Sequence, residues 1–154
     1  MANLSTFYLS RIIGKRVYDS EGKKIGIVKD LLVDTLTANP NDTPDKPKVI
    51  GVKAKTSKGI KIYSFEFIDV FRIEGRLTVK CNNIVELPQD TIDNGFFLAQ
   101  LMLDKQIVDL NGRKLVRVND IRLVDIKEGT FAVAVDIGIE GLLRRIDIEK
   151  PIKF

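Results

Sequence analysis

The chain has 154 residues, 44% of them hydrophobic and 30% charged, with 25 Lys/Arg against 21 Asp/Glu. That length suits one ordinary domain or two small ones, and it suffices for a core. The lack of His removes the commonest general base and metal ligand, and a single Cys excludes an internal disulfide.

The N-terminal segment Phe7 to Ile13 reads as a short amphipathic turn or helix, with Ser5 as its cap. Next comes Val17-Tyr18-Asp19-Ser20-Glu21-Gly22-Lys23-Lys24-Ile25-Gly26-Ile27-Val28-Lys29-Asp30-Leu31, and the chain says it twice. Ninety residues on, Ile107 to Ile121 matches it without a gap at five of fifteen positions: Asp19/Asp109, Gly22/Gly112, Lys24/Lys114, Val28/Val118 and Asp30/Asp120. Chance would give roughly one identity. Asp followed three residues later by Gly predicts a hairpin with a three-residue loop, its Gly at positive φ. The apolar positions then change parity along the second strand. Ile25/Leu115 is apolar in both copies, Ile27 has Arg117 as its counterpart, and Val28/Val118 is apolar again. Such shifts predict bulges near residue 27 and at Lys29-Asp30, and strands that bend this way build small barrels.

Thr35 to Lys48, with Pro40, Pro44 and Pro47, is a loop and reads as slack, since it holds no apolar anchor. Val49 to Lys55 is a strand with Ile50, Val52 and Ala54 as its inner face, and Thr56 to Gly59 turns it back into Ile60 to Tyr63. Phe65 to Val70 and Arg76 to Cys81 complete the first unit, with Gly75 at the turn between them. Asn82 to Gly95 separates the copies, giving units at 1–88 and 89–154. The second lead-in runs from about Asn94 to Leu103 with Asp93 as N-cap, and Phe131 to Asp136 echoes the Val49 strand. Gly138 to Ile146 reads as a shift to a helical turn.

The pattern Gly14-Lys15-x-Val17-x-Asp19-x-x-Gly22-x-x-Ile25-Gly26-x-Val28-x-Asp30-Leu31 resembles the opening of the PRC-barrel domain. That barrel is carried by the H subunit of the photosynthetic reaction centre and by ribosome maturation factors of the RimM type. The resemblance covers about residues 9–80 and, more weakly, 99–140, where Asp104 and Val116 replace Gly14 and Gly26. It implies a mainly β chain of two tandem small PRC-type β-barrels, each with a short helical lead-in. The motif is made of turn glycines and core aliphatics, so it transfers no catalytic residue. Tandem barrels followed by Gly141-Leu142-Leu143-Arg144-Arg145 also look like the N-terminal part of bacterial proteins that carry magnesium-transporter domains of the MgtE type.

The charge is uneven. Residues 1–88 hold 15 Lys/Arg against 10 Asp/Glu, and residues 89–154 hold 10 against 11. Lys53, Lys55 and Lys61, with Tyr63 beside them, form the candidate binding face, expected on the outer side of one hairpin. Lysines there also keep a sheet soluble, and without Arg or a second aromatic the solvated reading ranks first. Phe96, Phe97 and Leu101 are the candidate interaction surface, to be buried between the units or against a second chain. Asp30/Asp120 and Asp19/Asp109 read as backbone caps in preference to metal ligands. Cys81 has no His to activate it and reads as a core residue.

No catalytic residue, metal or cofactor is expected. No apolar run approaches the roughly 20 residues of a membrane span and the start lacks a signal-peptide profile, so the expected address is the cytoplasm. The leading expectation is a regulatory or protein-interaction module whose partner is another protein, downstream domains of the same parent chain, or a second copy. An RNA-associated maturation-type factor ranks second.

Overall fold

The computed structural model describes residues 6–34, 47–101, 103, 106–108, 115–139 and 142–147. The molecule is mainly β, and its strands curl into a half-barrel. The first half contributes β1 (Thr6–Tyr8), α1 (Leu9–Ile12), β2 (Arg16–Asp19), β3 (Lys24–Asp34), β4 (Lys48–Thr56), β5 (Gly59–Ser64), β6 (Ile68–Ile73) and β7 (Arg76–Cys81). The second adds α2 (Gln89–Asp93), β8 (Gly95–Phe97), α3 (Leu98–Leu101), β9 (Gln106–Val108), β10 (Leu115–Ile126), β11 (Gly129–Ile139) and β12 (Leu142–Asp147). Among the described residues all twelve strands join one sheet in the order β1-β10-β11-β4-β3-β2-β7-β6. β5 is attached to β4, β8 to β3, β9 to β10 and β12 to β11.

The first hairpin forms as its sequence predicts. Asp19 Oδ1 accepts from the backbone N–H of Glu21 (2.9 Å) and of Lys23 (2.8 Å), and Gly22 sits at φ +83°. A side chain there would be strained, because the left-handed region crowds a Cβ against the backbone. Gly112, its counterpart, lies outside the described residues, as does most of the loop from Thr35 to Lys48.

The bends recur in both copies. β3 carries one extra residue, Lys29, between the pairs Val28↔Ala54 and Asp30↔Lys53, and β10 carries Asn119 between Val118↔Ile137 and Asp120↔Asp136. A second shift lies on the partner strands. Ile50 is skipped between Leu32↔Gly51 and Val33↔Val49, and Val133 between Arg122↔Ala134 and Leu123↔Ala132. The bulge expected near residue 27 falls instead at Ile25, between Val17↔Gly26 and Tyr18↔Lys24. Each bulge flips the side chains that follow it, which explains the parity changes. It also corrects one inner-face assignment. Val49 is buried at 3%, and Ile50, the extra residue, is not in the core.

Both lead-ins cross over. β1 pairs antiparallel with β10 through Phe7↔Leu123, and β8 pairs antiparallel with β3 through Leu32↔Phe97. Backbone hydrogen bonding therefore spans the expected 88/89 boundary in both directions, and Lys48↔Phe131 joins β4 to β11 as well. The core follows the crossing. Phe7, Leu9 and Ile12 of the first lead-in pack in one cluster with Val17, Val28 and Leu31, and also with Leu98, Val118, Ile121 and Leu123.

Several local expectations are corrected. Phe65 to Phe67 is a single 3₁₀ turn, its start capped by Ser64 Oγ accepting from Glu66 N–H (3.3 Å), so β6 begins only at Ile68. The second lead-in is not one helix: α2 and α3 flank β8, whose residues are drawn into a strand by the edge that β3 offers. Pro88, not Asp93, precedes α2, and Tyr8 precedes α1. Finally, Leu142 to Asp147 forms a strand against β11, from Ile139↔Leu142 to Ala134↔Asp147, in place of the helical turn. The open edge of β11 supplies more backbone bonds than an isolated turn can, so tertiary pairing overrides local preference.

Candidate functional site

Asp30 and Asp120 stand just after matching bulges, and each reaches across to the other copy's lead-in. Asp30 accepts from the backbone N–H of Ala99 (2.7 Å) and Gln100 (2.9 Å) at the start of α3, and from Leu31 (2.8 Å). Asp120 accepts from Ser10 N–H (3.0 Å) and Ser10 Oγ in α1, and from Ile121 N–H (2.8 Å). Ser10 and Gln100 are ninety residues apart, and so are the two aspartates, so the capping is reciprocal. Both short helices find their N-terminal acceptor on the other repeat, which is why neither needs a local cap. The expected capping role of these carboxylates holds, with partners distant in sequence.

The predicted basic face divides. Directly paired residues share a face, and the register sets Lys53 opposite Ile62 and Lys55 opposite Ile60, but Lys61 opposite Ala54 and Tyr63 opposite Val52. Lys53 and Lys55 therefore lie on one face, and Lys61 and Tyr63 on the other. Tyr63 is buried at 7%, and burial pushes its phenol above the ordinary value. Lys61 pairs with Glu86 at 3.5 Å, where the segment after β7 runs back along β5 through Ser64 N–H to Val85 O (2.6 Å) and Leu87 N–H to Ile62 O (3.0 Å). Lys53 has a structural role: its Nζ lies 4.9 Å from the centre of the Phe97 ring, and it stands opposite Asp30 in the ladder. Lys55 stays exposed, level with Ile27 on β3 and, through it, with Arg16 on β2.

The predicted interaction residues go mostly inward. Phe96 and Phe97 are half-buried along β3, Leu98 is buried, and Leu101 remains exposed at 40%. Their surface is taken up chiefly by the joint between repeats. Burial raises the Asp30 carboxyl above its ordinary value, against the pull of its three N–H donors and of Lys53. Cys81 is buried, its Sγ donates to Asn83 O (3.2 Å), and burial raises the thiol.

One feature went unseen in the sequence. β2 and β7 run parallel, setting Tyr18 beside Lys80, while Lys24 flanks Tyr18 from β3. On the same face β6 and β7 pair Phe71 with Thr78 and Ile73 with Arg76. Tyr18, Phe71, Ile73, Arg76, Thr78 and Lys80 line an open concavity of about 720 Å³, rimmed by the turns at Gly22 and Glu74. Phe71 faces away from the core-facing Val70 and Val79, yet is only 6% exposed, so it forms the floor. Among the described residues the one ion pair joins Lys61 to Glu86, so Arg76, Lys80 and Lys24 have no carboxylate partner there. Asp19, on the same rim, is occupied by its own turn, and Asp69 accepts from Asn82 Nδ2 (2.6 Å). The alternation Arg76-Leu77-Thr78-Val79-Lys80 shows an outward polar face, but its meeting with Tyr18 depends on a long-range parallel pairing.

Comparison with known proteins adds one match: residues 5–39 fit the family model of the PRC-barrel domain. The matched stretch spans β1 to β3, with the capped turn and Asp30, and the curled β-sheet agrees with it. Comparison with curated proteins returned no match.

Proposed function

We propose that this chain is a non-catalytic interaction and regulatory module, two PRC-type half-barrels in tandem with their lead-ins exchanged. It serves as the cytoplasmic head of a larger, magnesium-transport-related protein. The observation that carries this reading is the division of labour among its polar groups. Asp30 and Asp120 hold the repeats together, while the outer face of the first repeat presents Arg76 and Lys80 together with Asp19 and Glu74 around a floor of Tyr18 and Phe71. A rigid sheet with an open face of mixed charge suits recognition of a partner's surface.

Photo-crosslinking from Lys55 and Lys80 in cells producing the chain tests it, with the coding sequence beyond Phe154 read in parallel. Protein adducts, and a downstream transporter domain, are expected. The alternative, an RNA-associated factor, is tested by filter binding at two salt concentrations. No specific RNA binding is expected from wild type or from a Lys53/Lys55/Lys61→Glu variant. A salt-sensitive micromolar affinity, weakened in that variant, would put the RNA reading first, because each neutralised phosphate releases counterions.

A further inference from the structure

The two repeats flank their first hairpin differently. In the first, β2 is held on both edges, by antiparallel β3 on one side and by parallel β7 on the other, through Val17↔Val79, Tyr18↔Lys80 and Asp19↔Cys81. In the second, β9 is the counterpart of β2 at the ninety-residue offset. Its pairs Gln106↔Arg117 and Ile107↔Val116 repeat Arg16↔Ile27 and Val17↔Gly26. Among the described residues β9 pairs with β10 alone. We infer that the other edge of β9 takes an extended segment of a partner protein as an added parallel strand, one with apolar residues at alternate positions. This rests on the interaction-module reading and names the form of the partner.

The first repeat shows what such an edge requires. An open strand edge presents a row of unpaired N–H and C=O groups, a template for one more strand. At β2 that strand is β7, and its alternation supplies core as well as backbone bonds. Leu77, Val79 and Cys81 are 7%, 0% and 1% exposed, while Arg76, Thr78 and Lys80 between them are half-buried or exposed. Val17, level with Val79, is fully buried. Ile107 holds the register position of Val17, so the strand beside β9 is to bring the same apolar stripe.

The described strands do not supply it. All twelve have their places in the sheet, and none lies on that edge of β9. β12 is the counterpart of β5, since Ile139↔Leu142 to Ala134↔Asp147 repeats Thr56↔Gly59 to Gly51↔Ser64. The β6–β7 hairpin follows β5, whereas the described residues stop at the matching point, Asp147. The residues of β9 also select the partner. Arg16 and Tyr18 have Gln106 and Val108 as counterparts, so an added strand stands level with no charged residue and needs no matching charge. A nucleic acid or a bilayer offers no ladder of N–H and C=O groups, so neither completes this edge.

The test is fluorescence anisotropy of the full chain with a labelled peptide standing in for the partner: the β6–β7 hairpin sequence, Ile68 to Cys81, with Cys81→Ser to prevent oxidation. The expected result is saturable binding, weakened about tenfold or more by Val79→Pro in the peptide, because proline removes a ladder donor. A scrambled peptide should lose as much. Hydrogen exchange with and without the peptide locates the contact, and slowing is expected at Gln106–Val108 with Arg16–Asp19 unchanged. The inference is overturned if no peptide binds, if the proline or scrambled peptide binds as well, or if the slowing falls at β2 instead. It is also overturned if the outer edge of β9 is already protected in the chain alone, since the chain's own residues or a second copy then fill it. A chain that fails here yet gives protein adducts from Lys55 or Lys80 remains an interaction module that uses another surface.

Discussion

The two lead-in docking sites are copies of one design set in different surroundings. At the first, Phe7 of β1 is 2% exposed against β10, and the capping carboxylate, Asp120, is half-exposed. At the second, Phe97 of β8 is half-buried under the Lys53 ammonium, while its carboxylate, Asp30, is 4% exposed. The residue opposite the carboxylate explains much of this. The ladder sets Lys53 opposite Asp30 and Asp136 opposite Asp120. A buried carboxylate is tolerable with a cation and three N–H donors nearby, whereas one facing a second acid is better left wet. The same backbone geometry thus supports an aromatic anchor at one site and a charge-centred one at the other.

Breaking the anchors should give the largest difference. Phe7→Ala should cost about 4 kcal/mol in urea unfolding, because a fully packed ring leaves a cavity, and Phe97→Ala about 2 kcal/mol. Equal costs would erase the distinction. The carboxylates should rank the other way. Asp30→Ala orphans the N–H groups of Leu31, Ala99 and Gln100 in a buried setting and should cost about 3 kcal/mol, against about 1 kcal/mol for Asp120→Ala. Gly22→Val tests the hairpin apart from either site. Its φ of +83° should make the substitution cost about 1–2 kcal/mol, measured the same way.

The smallest effect is the pH dependence. Burial raises the Asp30 carboxyl above 3.8, so the folded chain keeps that proton to higher pH than the unfolded chain does. Its contribution to stability is therefore fully present below pH 3.8 and is lost as pH rises through the raised folded value. Asp30→Asn removes this part of the slope, and Lys53→Gln, by withdrawing a charge that lowers the Asp30 value, moves the loss to higher pH. Unfolding free energies of wild type and both variants from about pH 3 to about pH 6 measure it. Parallel curves for wild type and Asp30→Asn would show that burial does not perturb this carboxyl.

What the sequence determined by itself was whatever repeats or alternates over short distances. The Asp19–Gly22 turn, the bulge at Lys29 with its echo at Asn119, and the apolar lead-ins were all legible, since turn chemistry and side-chain parity act within a few residues. The paired aspartates were legible as caps, though not what they cap. Tertiary structure alone decided which lead-in docks on which repeat, because a repeated sequence offers each lead-in two nearly equivalent partners. It also decided the faces of the β4–β5 hairpin. Alternation fixes parity within a strand, but the turn length fixes it between strands, and Thr56↔Gly59 sets Lys61 against Ala54 instead of beside Lys53. For the same reason the concavity at Tyr18, Arg76 and Lys80 was invisible: β2 and β7 meet by a parallel pairing that no local pattern encodes.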